Sequence, residues 1–195
     1  WLVYAESYSE RDVFGNRVLQ INGRSLSAEL GSDFALPASR DEQSDLSAFQ
    51  LAVQELAGTG WVLSHHPNWT DYPVPGGNFN YRELTPMDAI SRIVQASGAV
   101  LLPVPDRKEL RITPRYPVPA WKRAITPPDK ELSYSMIHAR DGQYQPEPLR
   151  RGVYVSGTTN DGELIRVQRT GTDGAPWANM ITDPLITHPL SLIHI

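Results

Sequence analysis

Across its 195 residues the chain has no cysteine, which removes disulfide frameworks, thiolate metal sites and cysteine nucleophiles from consideration. No apolar run approaches the roughly 18 to 20 residues of a membrane-crossing helix, so no membrane insertion by this segment is expected. The sequence also lacks GxSxG, a P-loop and GxGxxG, and Ser156-Gly157 sits in a hairpin pattern rather than at a strand-to-helix elbow. Positive charge is in short supply. The formal net charge is −4 and the pI about 5.7, which lacks the overall electrostatic footprint of a nucleic-acid binder.

Proline and glycine are plentiful, at 17 and 14 residues, and predict many short elements and turns rather than a helical bundle. With 40% hydrophobic and 21% charged residues, a packed interior is expected. Charge is unevenly spread. Residues 1–105 carry 6 basic and 12 acidic side chains, net −6, whereas residues 106–195 carry 12 and 10, net +2. Much of the basic excess lies in Arg107, Lys108, Arg111, Arg115, Lys122 and Arg123, which reads as a solvated strand face and linker or as a contact surface for an acidic protein neighbour.

The pattern is β-rich α+β. Gly15-Asn16 and Asn22-Gly23 are turn signals, and Val18, Ile21, Leu26, Ala28 and Leu30 alternate with polar residues as strands do. A helix is expected from about Leu46, capped by Ser44 or Asp45, with Leu46, Phe49, Val53 and Leu56 as its buried stripe and Gly58 at its end. WVLS then reads as a short strand. A second helix has Thr85 as N-cap, Pro86 at its first position and Asp88 at N3, with Ala89, Ile90, Ile93 and Val94 buried and Gly98 ending it. AVLLPV, the turn PDRK and ELRITPR form a hairpin with Leu110 and Ile112 inward. Helix, glycine, strand thus occurs twice. After a proline-studded connector, RRGVYVSG and GELIRVQRTG flank TTND as a further hairpin, with Val153, Val155, Leu164 and Val167 as its apolar set.

Few residues suggest chemistry. His65-His66 with Asp71 is the only local cluster of plausible metal ligands, but adjacent strand residues point to opposite faces and no i, i+4 histidine pair exists. Asn68-Trp69-Thr70 matches a glycosylation sequon, a triplet common by chance. Trp61, Trp69, Trp121 and Trp177 read either as edge-sealing aromatics or as a sugar-stacking set. No catalytic residue, cofactor-binding residue or metal ligand is assigned, and no enzyme activity is expected.

The order INGRSLSAEL, LSAFQLAVQELAGTGWVLS, YRELTPMDAISRIVQASGAVLLPVPDRKELRITPR resembles the central part of phage tail baseplate hub proteins, the Mu-like hub and late control D-like proteins among them. Asp88-Ala89 stands at that family's "DA", Gly98 and Val100 to Leu102 at its "G-V-L-L", and Leu110, Ile112 and Thr113 at its "L-x-I-T". GVYVSG, GELIRVQRTGT and ITDPLITHP are similar to a later β-barrel-like domain of these proteins. GRSLSAEL departs from the more acidic strand end of some Mu-like hubs. The resemblance implies a small helix–strand domain set between parts of β-barrel-like domains. It further implies a structural role joining tail tube to spike, a homotrimer, tube and spike or baseplate proteins as partners, and a place in the virion tail after assembly in the host cytoplasm. The other reading is a tail-associated cell-wall hydrolase or glycan-binding module.

The expected organisation is the end of a first β-rich domain over 1–43, the α+β domain over 44–114, the connector over 115–129 and a partial second β-barrel-like domain over 130–189. WLVYAESYS begins inside a strand-like pattern, so the true start is expected upstream. LSLIHI, 190–195, translates CTG-TCT-CTT-ATA-CAC-ATC, which looks like a transposase end sequence of sequencing adapters. It is expected to be adapter-derived.

Overall fold

The computed structural model describes residues 3–116, 118, 120–128, 131–137, 139–143, 145, 146, 148–157 and 164–187. The expected TTND turn and the LSLIHI tail lie outside them, as does the side chain of Trp121.

The chain opens with a long antiparallel ribbon, β1 (Val3–Val13) and β2 (Asn16–Ser25). Its turn is Phe14-Gly15, both at positive φ, the backbone that a two-residue hairpin loop requires. Asn22-Gly23 makes no turn. The pair lies inside β2 opposite a bulge, where Gly23 faces Ala5, Asn22 faces Ser7, and Glu6 is the extra residue. Gly23 is needed there because a Cβ would run into the Tyr4 carbonyl oxygen. A 3-10 turn (Leu26–Leu30) leads to β3 (Ala38–Asp41) and the two-residue β4 (Leu46–Ser47).

Helix α1 (Ala48–Glu55) is capped by neither Ser44 nor Asp45. Ser47 caps it: its Oγ accepts from Gln50 N at 3.2 Å, and Gln50 Oε1 accepts from Ser47 N at 2.9 Å, a reciprocal capping box. Asp45 instead accepts from Gly76 N. The later start rotates the buried stripe to Ala48, Leu51 and Ala52, while Leu46 lies in β4, Phe49 is half-buried and Val53 is exposed. Of the expected stripe only Leu56 is buried. Two alanines on the inward face let α1 approach its neighbour closely.

Strands β5 (Val62–His65), β6 (Pro73–Val74) and β7 (Asn80–Leu84) precede α2 (Pro86–Ala96). Thr85 caps α2 as expected, and Asp88 accepts from the Thr85 hydroxyl at 2.7 Å rather than from its backbone N–H. Ala89, Ile90, Ile93 and Val94 are all buried. Next come β8 (Ala99–Pro103) and β9 (Glu109–Pro114). Strand β9 is central to a three-stranded sheet, parallel to β5 and antiparallel to β8. Leu110 and Ile112 face inward, opposite Leu63 and Leu101 respectively. β3 pairs with β7 and β4 with β6.

Both helices contribute to one core with this sheet. Three buried aromatics bring polar tips with partners, which offsets the cost of burying them. Trp69 Nε1 donates to Ser97 Oγ at 3.1 Å, the Tyr72 hydroxyl donates to Ile93 O at 2.9 Å, and Trp61 Nε1 donates to Glu29 Oε2 at 2.9 Å. Burial raises the Tyr72 phenol well above its usual range. The core takes in Leu30 from one side of residues 44–114 and Leu185 from the other.

Past 3-10 turns at Ala120–Ile125 and Tyr134–Met136 comes a second sheet of β10 (Gly152–Ser156), β11 (Leu164–Gln168) and β12 (Ile181–Thr182). β10 is central, antiparallel to β11 and parallel to β12. Its inward set corrects the expected one by a residue. Val155 faces Ile165 and Val153 faces Val167, so strand alternation turns Leu164 out to solvent. These residues pack with Ile186 as a second, smaller core. On the opposite face Trp177 lies between the Tyr154 ring, 4.7 Å away, and the Arg166 guanidinium, 4.8 Å away. A side chain at Gly152 or Gly174 would collide with the indole.

Candidate functional site

Ribbon β1–β2 is exposed along almost its whole length. An isolated two-stranded hairpin is marginal in water, so a ribbon of 11 and 10 residues is built to be held by something. Register sorts its side chains into two faces. One carries Ala5, Tyr8, Leu19 and Ile21, with Tyr8 76%, Leu19 58% and Ile21 60% exposed, around a shallow cleft of about 370 Å³. The Glu10–Arg17 ion pair borders this patch. The other face is largely polar, and Asn22 Nδ2 donates to Ser7 Oγ. At the tip the Phe14 ring is fully exposed. Clustered apolar groups beside polar neighbours are the composition of a protein interface rather than of a solvated strand.

The base of the ribbon is fixed to the core by one carboxylate. Glu29, on the 3-10 turn after β2, accepts from the Tyr4 hydroxyl and from Trp61 Nε1, and pairs with Lys108 Nζ at 2.7 Å. It joins β1, the start of β5 and the β8–β9 turn. Lys108 first, then Tyr4 and Trp61, hold the pKa of the Glu29 carboxyl down at about 2, below the ordinary value of 4.5. Alongside, Tyr4 stacks on Phe34, and Arg24 lies over the same ring while pairing with Glu6 and Asp33.

Because the folded pKa is depressed, Glu29 stabilises the fold above about pH 4.5, and that contribution fades as pH falls toward 2. Amide hydrogen exchange should show β1 and β2 losing protection across this window before the central sheet does. Glu29→Gln should have the same effect at pH 7. Equal protection of the ribbon at pH 7 and pH 3 would contradict the arrangement.

A second carboxylate cluster is fully committed to structure. Arg40 pairs with Glu42 at 2.5 Å and Glu55 at 2.7 Å, and the Tyr81 hydroxyl donates to Glu55 at 2.6 Å. Arg40 first, then the Ser44 backbone, brings the Glu42 carboxyl down to about 2. These groups clasp α1 to the β3–β7 pair.

The histidines, Trp69 and Asp71 stay close to one another, His65 lying 5.6 Å from the Trp69 ring, and each is used in local structure. Phe49 lies edge-on to His65 at 5.3 Å, while His66 Nδ1 accepts from Asn68 N. Asp71 Oδ1 accepts from Phe49 N and Tyr72 N at the start of α1. No group of three or more potential metal-ligating side chains forms among the described residues. Trp61 and Trp69 are buried at 6% and 3% exposure, and neither offers a face for a sugar ring. Three of the basic residues pair with carboxylates within the chain: Arg107 and Arg111 share Glu109, and Lys108 pairs with Glu29. Glu29 itself was not foreseen, because its donors are scattered along the chain and leave no local motif.

No family model matches the chain. No curated protein matches it either. Among solved structures, the crystal structure of the tail protein from Neisseria meningitidis MC58 is similar, with a TM-score of 0.57 and 14% sequence identity. The likeness covers 92% of this chain and 54% of that protein, so the chain spans about half its length. At that identity the shared property is the fold. It agrees with the β-rich α+β class expected from the sequence. Among the described residues no helix is long and apolar enough to cross a membrane.

Proposed function

We propose that the chain is a structural component of a phage or prophage tail, acting by binding and not by catalysis. In the finer form of this reading it belongs to the baseplate hub or tail tip and, as a homotrimer, joins the tail tube to the spike. The observation that carries the reading is the fold shared over 92% of the chain with a tail protein. The exposed ribbon supports it, because a connector needs ordered surface to offer its neighbours. So does the commitment of its clustered carboxylates to ion pairs that tie elements together.

Immunogold electron microscopy of particles from the producing strain tests the role. Label at the distal end of the tail is the expected result. Particles without label, or label confined to the head, would overturn it. Release of sugars from peptidoglycan by the purified chain would favour the hydrolase alternative.

A further inference from the structure

Residues 131–137, ELSYSMI, alternate apolar and polar side chains in the period of a strand. An extended backbone would put Leu132, Tyr134 and Met136 on one side and Ser133 and Ser135 on the other. The segment nevertheless forms no strand. It holds the 3-10 turn Tyr134–Met136, in which Met136 N donates to Ser133 O and Ile137 N to Tyr134 O, bonds that stay within the segment. All three apolar side chains are exposed, Met136 at 73%. Large apolar groups gathered at strand spacing and left in water mark a surface that has yet to meet its partner.

The second sheet offers an incomplete core close by in the chain. Among the described residues only Val155 and Ile186 are buried there, and the half-buried pair Val153 and Val167 floors an open cleft of about 330 Å³. Arg151 and Arg169 border that cleft. Glu131, which forms no ion pair among the described residues, brings a carboxylate at the start of the segment. About a dozen residues join Ile137 to Arg150, enough to span roughly 40 Å when extended. Closing such a loop is entropically mild, since the closure term rises only slowly with length.

We propose that the cleft over Val153 and Val167 is the docking site of residues 131–137 of the same chain. In docking, the 3-10 turn straightens into an extended strap that lays Leu132, Tyr134 and Met136 on the cleft floor. The conformation in the structure is the open one. Closing removes three apolar side chains from water and completes the thin second core, while Ser133 and Ser135 stay turned outward.

Peroxide footprinting read by peptide mass spectrometry tests the strap, with Met180, 54% exposed, as the reference beside Met136. A strap closed for nine-tenths of the time should make Met136 oxidise about tenfold more slowly than Met180, although the open form exposes it more. That protection should hold through roughly a hundredfold dilution, because docking within one chain does not depend on concentration. Val167→Thr, which keeps the shape of the floor and makes it polar, should bring Met136 up to the rate of Met180. So should Leu132→Ser, a change on an exposed segment that leaves the sheet intact. Oxidation of parental Met136 as fast as Met180 overturns the proposal. Protection lost on dilution overturns it too, because the strap then docks on another molecule. Protection that survives both substitutions does the same, because some other surface then covers Met136. None of these results bears on the tail role, which rests on the labelled particles.

Discussion

Replacing Trp61 and Trp69 together by alanine should abolish cooperative folding, not remove one binding property from a folded protein. Each side chain is almost wholly buried in the central core. Truncating a buried tryptophan costs about 3–5 kcal/mol, against a total stability of roughly 5–15 kcal/mol for a domain. The loss also removes a donor to Glu29 and a partner of Ser97. Circular dichroism melting should show no sharp transition in the double variant. A variant that melts like the parent but no longer binds peptidoglycan fragments would mean that the indoles serve a glycan and not the core.

Leu185→Ala should lower stability by about 2–5 kcal/mol, an effect expected of a central core position and not of a residue near the end of the described chain. Leu185 is fully buried in the cluster containing both helices, whereas its neighbour Ile186 packs with Val155 in the smaller one. Consecutive residues therefore enter different cores. Asp183 Oδ1 accepts from Leu185 N at 2.8 Å, and Thr187 Oγ1 donates to Pro73 O at 2.5 Å, fixing the segment from both sides. Urea titration should give a midpoint shift for Leu185→Ala close to that for Leu110→Ala. A change below about 0.5 kcal/mol, the range of a surface substitution, would show that the segment is not seated in the core.

Much of the central unit was legible because its signals are local. Thr85, Pro86 and Asp88 mark the start of α2 within four residues, and Ile90, Ile93 and Val94 supply the helical period. Alternation likewise marked Leu110 and Ile112 as inward. The start of α1 was misplaced because Ser44, Asp45 and Ser47 are all competent caps, and the choice depends on Gly76 claiming Asp45 from the following loop. Asn22-Gly23 misled for a related reason. The dipeptide tolerates a turn and also tolerates a bulge, and the close approach of the Tyr4 carbonyl selects the second. The ribbon's apolar patch was illegible because Tyr8, Leu19 and Ile21 acquire a common face only once the strands are in register. Nor does a residue's neighbourhood along the chain reveal that Lys108 pairs with Glu29, whereas Glu109 stands two residues from both Arg107 and Arg111.

The attachment of the ribbon has a mechanical meaning. Its contacts with the body gather at the inner end, where Tyr4, Arg24, Glu29, Phe34 and Lys108 meet, while Tyr8 and Phe14 extend beyond them. A sideways force at the tip therefore acts through a long arm on a short root. The Glu29–Lys108 pair passes that torque to the turn feeding β9, the middle strand of the three-stranded sheet. The root is the fulcrum, and Glu29 is the pin through it.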